Sequence, residues 1–161
     1  MAIKKGDQLP EGRFTVMKSD GPGSLTTGEL FSGKKVVVFA VPGAFTPTCS
    51  NEHLPGYVQK ADEFKKKGVD TVACMSVNDV FVMDAWSQAT GAGDKVTLLA
   101  DGNGDYAKAL GMDFDGSGFG LGQRARRFAM VVDDGVVSEV FEEENPGELK
   151  NSDADTVLAS L

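Results

Sequence analysis

Apolar and polar residues follow two different periods along the chain. Three short runs, at residues 35–41, 69–77 and 96–100, are almost continuously apolar, and each predicts a strand that is buried on both faces. Between the first two runs, apolar residues recur at helical spacing from Leu54 onwards, and Gly68 supplies the stop. A strand, a helix and a second strand in this order predict a parallel crossover unit.

The segments on either side of this unit carry weaker signals. The first 33 residues are rich in Gly, Ser, Thr and Asp, and they predict a short hairpin or irregular lead-in with a brief helix at 27–31. After the second strand, Asn78 or Asp79 is expected to cap a helix, and a shorter helix is expected at 105–110. The apolar residues expected to share one face of the capped helix are Phe81, Val82, Ala85, Trp86 and Ala89.

The last third of the chain predicts a hairpin and a final helix. Asp134 and Gly135 separate apolar runs at 126–132 and 136–141, which indicates an antiparallel pair and hence a mixed sheet. The glycine-rich stretch before this hairpin, at 115–122, is typical of a flexible loop. Ser152, with Asp155 three residues later, is expected to cap a last helix that runs to the end of the chain. The pattern predicts one α/β domain over residues 1–161, with a central mixed sheet flanked by helices.

Composition and charge narrow the classes of function. A chain of 161 residues with 41% hydrophobic content can fill one core, and the net charge of -8 argues against nucleic acids and anionic membranes as partners. No apolar run approaches the roughly 20 residues that span a bilayer. Two cysteines are too few for a secreted disulfide scaffold, and the first residues lack the apolar core of a signal peptide. We therefore expect a cytoplasmic protein.

The strand predicted at 35–41 is followed closely by Cys49, the candidate for the most reactive side chain of the protein. Thr46 and Pro47 predict a helix N-cap and the first helical residue, so that Cys49 lies in the first helical turn. Free N–H groups and the helix dipole favour a thiolate there, which makes Cys49 a candidate nucleophile. The alternative is a small buried hydrophobic residue. Pro55, inside the same helical pattern, predicts a kink near residues 51–55.

Two other interpretations of these residues are possible. His53 lies one helical turn after Cys49, which suggests a metal site or a Cys-His hydrolase dyad. A zinc site needs about four ligands, however, and the chain has one histidine and two cysteines. A hydrolase also needs an oxyanion hole and a third orienting group, so we expect His53 to support the site or to be a hydrogen-bonded core residue. The stretch 101–105 begins like a calcium loop but lacks the later glycine and glutamate.

Four sequence motifs together resemble those of a known family. They are Pro42-Gly-Ala-Phe-Thr-Pro-Thr-Cys49, His53-Leu-Pro-Gly56, Ser76-Val-Asn-Asp79 and Arg127-Phe-Ala-Met-Val-Val132. In order and spacing they resemble the type II, peroxiredoxin-5-like peroxiredoxins over nearly the whole chain. The resemblance implies a thioredoxin-like fold with an N-terminal extension. It also implies a thiol peroxidase that reduces hydrogen peroxide and small alkyl hydroperoxides without a metal or an organic cofactor.

The resemblance further implies roles for individual residues. Cys49 would attack the peroxide and become a sulfenic acid, and Arg127 and the Thr46 hydroxyl would stabilise the developing charge. Pro42 would shield the thiolate from water. Without the resemblance, the arginines at 124–127 fit a solvated strand end equally well. A homodimer is also implied, and the aromatic residues near predicted loop ends that are candidates for its interface are Phe45, Phe81 and Phe119.

Cys74 bears on how an oxidised Cys49 would be recycled. It lies three residues before the expected end of the second strand, whereas a disulfide needs α-carbons within about 7 Å, so pairing with Cys49 would require local unfolding. Some type II relatives carry a resolving cysteine near the C-terminus, but residues 150–152 contain none. We expect Cys74 to be a buried strand residue, and an external donor, glutathione with glutaredoxin or else thioredoxin, to reduce Cys49. The alternative function is a redox sensor or client-binding module.

Overall fold

The structure of the protein is a computed structural model that describes residues 2–161. Its strands are β1 (Arg13–Lys18), β2 (Gly21–Thr26), β3 (Lys35–Val41), β4 (Thr71–Ser76), β5 (Thr97–Ala100), β6 (Asp113–Asp115), β7 (Gln123–Ala125), β8 (Phe128–Asp133) and β9 (Val136–Glu142). Its helices are α1 (Thr27–Phe31), α2 (Leu54–Lys66), α3 (Val80–Thr90), α4 (Asp105–Ala109) and α5 (Ala154–Ala159).

The central sheet is mixed, as the pattern predicts. Seven strands pair in the order β2-β1-β5-β4-β3-β8-β9, and the three in the middle, β5, β4 and β3, run parallel to one another. The remaining pairs are antiparallel, including the hairpin of β8 and β9. Asp134 and Gly135 both have positive φ at its turn, which is the backbone conformation that two-residue hairpin turns favour.

Strand β3 lies at the centre of the molecule and is covered on both faces. Val37, Phe39 and Val41 face the layer that contains α2, α3 and α5, whereas Val36 and Val38 face the layer of α1 and α4. Side chains that alternate between two apolar layers explain why the run 35–41 shows no polar positions after its first residue. The strand ends at one edge of the sheet, and Pro42 follows it directly.

Helix α3 buries a different face from the predicted one. Asp79 caps it through a hydrogen bond from the Val82 N–H (2.9 Å), and the buried residues are Val80, Met83 and Trp86. Phe81 is instead 66% exposed. Apolar residues occur on more than one face of this helix, and packing against the neighbouring elements selects the stripe that is buried, which spacing alone does not identify.

One predicted local feature is wrong, and another feature was not predicted. Asp153, rather than Ser152, caps α5, because the Ser152 side chain is buried and donates to Glu143 (2.8 Å). The glycine-rich loop at 116–122 is framed by a separate two-stranded sheet of β6 and β7, closed by a Gly116 N–H to Gly122 carbonyl bond of 2.6 Å. Short strands of three residues carry too little periodicity to be detected.

The loop that begins like a calcium site holds the start of a helix instead. The Asp101 carboxylate accepts hydrogen bonds from the N–H groups of Tyr106 (3.0 Å) and Ala107 (2.8 Å), so it holds the start of α4.

Within residues 2–161, none of the helices combines the length and the hydrophobicity needed to cross a bilayer.

Candidate active site

Cys49 lies in the first turn of the helical segment that follows β3, as predicted. Helical backbone begins at Pro47, and the first bond between residues four apart runs from the Ser50 N–H to the Thr46 carbonyl (2.9 Å). Thr46 is therefore the residue before the helix, and proline occupies its first position, where a missing N–H costs nothing. The Cys49 side chain is fully buried.

The predicted kink takes the form of a π-helical turn at Cys49–His53. The Leu54 N–H bonds to the Cys49 carbonyl five residues back. Pro55 has no N–H to offer the Asn51 carbonyl, so a widened turn at this point avoids the clash that a regular helix would create. Cys49 and His53 both point into the protein, and the residues between them are exposed or half-buried.

Arg127 is buried beside Cys49. It lies immediately before β8, on the same side of the sheet as Ala129 and Val131, and only 2% of its surface is exposed. Nη2 donates to the Cys49 sulfur (3.0 Å), and Nε donates to the Pro146 carbonyl (2.8 Å). Its Nη1 lies 2.7 Å from His53 Nδ1. Three acceptors thus fix the planar guanidinium, and the alternative of a solvated strand end is wrong for this residue.

The charge of Arg127 has no carboxylate partner in the part of the chain that the structure describes. Within residues 2–161, every ion pair joins other residues, such as Arg126 with Glu142. A buried cation without a counter-charge is costly, because the protein interior does not replace the water that solvated it. Of the three groups that this guanidinium contacts, the Pro146 carbonyl and the neutral His53 ring carry no charge, and the third is the Cys49 sulfur.

His53 is buried and neutral, with its proton on Nε2. A guanidinium only donates hydrogen bonds, so Nδ1 must accept from Arg127, and Nε2 must donate to the Ser152 carbonyl at 3.1 Å. Burial, and then the nearby charge of Arg127, lower the pKa of His53 to about 3. Neither ring nitrogen is free to accept a proton from Cys49, which removes the basis for a Cys-His hydrolase dyad.

Tyr57 supports the imidazole from the next helical turn. Its hydroxyl donates to the same Ser152 carbonyl (2.6 Å), and its ring stacks on Phe39 of β3 with ring centres 3.9 Å apart. The Ser152 carbonyl therefore accepts two side-chain hydrogen bonds. Cys49, His53 and Tyr57 form a single stripe with a spacing of four residues, and this stripe is readable from the sequence.

The loop between β3 and Cys49 is fixed by polar contacts. The Thr46 hydroxyl donates to the Gly43 carbonyl (2.7 Å), so it offers an incoming molecule a lone pair rather than a hydrogen, which differs from the expected donor role. Asn78 accepts from the Ala44 N–H (3.0 Å). Pro42 is buried, and its carbonyl accepts from Arg124 Nη1 (3.3 Å).

Cys74 is a buried strand residue, as predicted. It lies in β4 opposite Phe39 and belongs to the same apolar layer as Cys49. Both thiols are free. Burial raises the pKa of Cys74 well above its ordinary value, and the nearby Cys49 adds to this effect. Its thiol is therefore a poor nucleophile in the folded protein.

The three aromatic residues suggested for an interface are all at the surface. Phe45, Phe81 and Phe119 are 54%, 66% and 82% exposed. Phe45 also has a positive φ of 64°, which is uncommon for a bulky residue and places its ring on the outside of the loop before Thr46.

Several groups that complete the site were not predicted. The carbonyls of Pro146 and Ser152 belong to the main chain, so no side-chain pattern marks them. Glu143 holds the segment that contains Ser152, and only its buried position distinguishes it from neighbouring acidic residues. Within residues 2–161, no cluster of three or more His, Cys, Asp or Glu side chains is arranged to hold a metal ion.

Comparisons with known proteins agree with this geometry. Residues 4–158 match the family model described as Redoxin. The chain is 46% identical to Peroxiredoxin-2E, chloroplastic, of Arabidopsis thaliana, over 99% of this chain and 70% of that protein. It is 45% identical to Peroxiredoxin-2B of the same plant, over 99% and 98%. A crystal structure of reduced Prx3 in complex with H2O2 from Vibrio vulnificus superposes with a TM-score of 0.92 at 48% identity, over 98% of each chain.

Proposed function

This chain belongs to the peroxiredoxins of the Redoxin family, and from that premise we propose that Cys49 is the residue that attacks the peroxide. As a peroxiredoxin, the chain has a thioredoxin-like fold and is a thiol-dependent peroxidase, an oxidoreductase that acts on peroxides. The observation that supports Cys49 is the 3.0 Å contact between its sulfur and a buried guanidinium that has no carboxylate partner among residues 2–161.

The reaction begins with attack of the Cys49 thiolate on one peroxide oxygen. A sulfur–oxygen bond forms, the oxygen–oxygen bond breaks, and its electron pair moves to the leaving oxygen. That oxygen takes a proton and departs as water or as an alcohol, while the sulfur is oxidised to a sulfenic acid. The fully buried sulfur favours small substrates, so we propose hydrogen peroxide and small alkyl hydroperoxides.

Three residues around the sulfur have separate roles in this proposal. Arg127 offers N–H donors to the sulfur and to the charge that develops on the peroxide oxygens. Thr46 accepts the hydrogen bond that the peroxide O–H can donate, because its own hydrogen is engaged by Gly43. Pro42, buried at the end of β3, excludes water from the thiolate.

Replacing Cys49 by serine tests the assignment directly. The two side chains are close in shape, so we expect a folded protein that no longer consumes peroxide, because a serine hydroxyl is a far weaker nucleophile at neutral pH. Circular dichroism checks the fold, and a direct peroxide assay checks consumption. Rapid turnover by the folded Cys49→Ser protein would remove Cys49 from the mechanism.

We further propose that an external thiol recycles Cys49. A donor thiolate attacks the sulfenic sulfur, water leaves, and a second thiol reduces the mixed disulfide. Cys74 is buried in β4 with a raised pKa, which makes it a poor internal partner. Glutathione with glutaredoxin is the preferred donor, and thioredoxin is the second. Mass spectrometry after one equivalent of peroxide should show a glutathione adduct on Cys49, whereas a rapid and quantitative Cys49–Cys74 disulfide would contradict this route.

We also propose that the protein forms a homodimer through the exposed rings of Phe45, Phe81 and Phe119. Sedimentation at micromolar concentration should give the mass of two chains, and a monomer would contradict the proposal.

The cytoplasmic location remains a prediction, since one similar protein is named chloroplastic and Peroxiredoxin-2B is not. We do not propose a redox sensor or client-binding module, because the similar proteins are named peroxiredoxins.

A further inference from the structure

Glu143 is a buried carboxylate that does not touch Cys49. It follows β9 directly and is only 6% exposed. Its side chain accepts hydrogen bonds from the N–H groups of Lys150 (3.0 Å), Asn151 (2.7 Å) and Ser152 (2.6 Å), and from the Ser152 hydroxyl (2.8 Å). One carboxylate therefore holds the whole turn at 150–152.

The turn that Glu143 holds carries a carbonyl of the active site. Ser152 donates its N–H and its hydroxyl to Glu143, while its carbonyl accepts from His53 Nε2 (3.1 Å) and from the Tyr57 hydroxyl (2.6 Å). The main chain of Glu143 is also attached to the site, because its N–H donates to the Arg127 carbonyl (3.1 Å). Glu143 is thus bonded to the backbone of Arg127 and also to the residue whose carbonyl orients His53.

We propose that Glu143 is a positioning residue for the peroxidase reaction: by fixing the Ser152 carbonyl it holds His53 with its proton on Nε2, and His53 in turn holds Arg127 against the Cys49 sulfur. This inference rests on the proposed role of Arg127. The contacts form one continuous series from Glu143 to Ser152, His53, Arg127 and Cys49.

The contact between Arg127 and His53 depends on which ring nitrogen of His53 carries the proton. Arg127 needs an unprotonated Nδ1, and Nδ1 stays unprotonated as long as Nε2 keeps the proton and the Ser152 carbonyl accepts from it. If the 150–152 turn moves away, Nε2 loses its acceptor and the single proton can move to Nδ1. Nδ1 would then point an N–H at the guanidinium, and Arg127 would lose its place beside the sulfur.

The surroundings of His53 contain opposing charges. The Arg127 guanidinium disfavours a second proton on the ring, whereas the Glu143 carboxylate favours it. The Tyr57 hydroxyl shares the Ser152 acceptor, and Cys49 lies on the same helical turn. Burial would raise the pKa of Glu143, but the hydrogen bonds from Ser152, Asn151 and Lys150 outweigh it and hold that pKa below its ordinary value. Glu143 therefore acts as a charged acceptor at neutral pH.

The chain has a single histidine, so nuclear magnetic resonance of nitrogen-15-labelled protein reports His53 without assignment by mutation. In the wild-type protein we expect Nε2 to carry the proton and Nδ1 to carry none from pH 8 to about pH 5, below the ordinary histidine pKa. A wild-type spectrum with the proton on Nδ1 would overturn the inference, and this measurement needs no variant to fold.

The first variant is Glu143→Gln, which keeps the shape but removes the charge and one acceptor oxygen. We expect its rate constant for hydrogen peroxide to fall about 10- to 100-fold, the usual effect of removing a partner that orients a site residue. We also expect the nitrogen-15 spectrum of this variant to show the His53 proton on Nδ1 in part or in full, because Nε2 no longer has a fixed acceptor. Glu144→Gln is the matched control, since it makes the same change of charge at an exposed neighbouring residue.

The double variant Glu143→Gln with His53→Gln separates positioning from simple support of the fold. A glutamine at position 53 has no imidazole tautomer for Glu143 to fix, so the double variant should lose no more rate than the worse single variant. Additive losses of rate, or a Glu143→Gln rate and spectrum that match those of Glu144→Gln, would overturn the inference.

The two levels of the proposal fail in different ways. If Arg127→Gln retains full activity, the role of Arg127 in the proposed function is wrong. If Arg127→Gln is inactive while Glu143→Gln behaves as Glu144→Gln does, only the role of Glu143 is wrong. Should Glu143→Gln not fold, Ser152→Ala removes one donor to the same carboxylate. We expect it to change the His53 spectrum in the same direction by a smaller amount, and an unchanged spectrum would then overturn the inference.

Discussion

Replacing Arg127 by glutamine removes the only buried cation that contacts Cys49 among residues 2–161. Glutamine can still donate one hydrogen bond, but it carries no charge and cannot reach the sulfur, His53 and the Pro146 carbonyl together. Loss of one donor aimed at developing charge typically costs about 100- to 1000-fold in rate, or about 3–4 kcal/mol of transition-state stabilisation. We expect the rate constant for hydrogen peroxide to fall within that range.

The protein contains its own reporter for this measurement. Its single tryptophan, Trp86, donates from Nε1 to the Ser50 hydroxyl (2.9 Å), and Ser50 is the residue after Cys49. Oxidation of Cys49 should therefore change tryptophan fluorescence, and stopped-flow mixing with peroxide gives the rate of the first step without any donor. A variant without Cys49 should show no such change.

Two further variants at positions 127 and 126 sharpen the result. Arg127→Lys keeps the charge but offers one ammonium to three separate acceptors, so we expect a loss smaller than that of Arg127→Gln. Arg126→Gln is the matched control, because Arg126 is exposed and pairs with Glu142 at the surface (3.0 Å). If Arg127→Gln reacts within threefold of Arg126→Gln, the electrostatic account of the site is wrong.

Three other outcomes follow from the site. Thr46→Val removes the hydroxyl that we propose accepts from the peroxide and positions it, so the stopped-flow rate should fall about 100-fold, the cost of a misplaced substrate, and a loss below threefold would assign Thr46 to loop structure alone. Cys74→Ala should leave turnover with glutathione and glutaredoxin within threefold, and loss of recycling with a normal first step would make Cys74 the resolving residue. The pKa of His53 is lowered to about 3 by burial and by Arg127, so below about pH 6.5 the unfolded chain binds a proton that the folded chain does not. Stability from this group is complete above that pH and is lost as the pH falls toward 3, by up to about 1.4 kcal/mol per pH unit. Urea unfolding of wild type and His53→Gln from pH 8 to pH 4 checks this, and an equal acid dependence in both proteins would contradict it.

The parts of the structure that were predictable from the sequence are those specified by local pattern. The apolar run at 35–41 marks a strand covered on both faces, and Thr46 with Pro47 marks the start of the helical segment. Arg127 was identified through the family resemblance, because a cluster of arginines alone is equally typical of a solvated strand end. The motif identified the position of this arginine, and the structure shows which groups its guanidinium contacts.

The remaining parts depend on groups that have no sequence signature. The carbonyls of Pro146 and Ser152 are present in every residue type, so their roles follow only from where the chain folds. Glu143 belongs to a run of three glutamates, and only the middle one is buried. Helix α3 is apolar around most of its circumference, so the stripe of Val80, Met83 and Trp86 was chosen by packing against neighbours.

The contacts around Cys49 span long stretches of chain, and this has a consequence for how the protein is made. Arg127 lies 78 residues after Cys49, and the Ser152 carbonyl lies 99 residues after His53. Contacts of such separation form late, because the intervening loops must close first. A nascent chain that ends before residue 127 therefore contains the cysteine without the guanidinium. The contact between the Cys49 sulfur and Arg127 is a property of the completed fold and is absent from a partly synthesised chain.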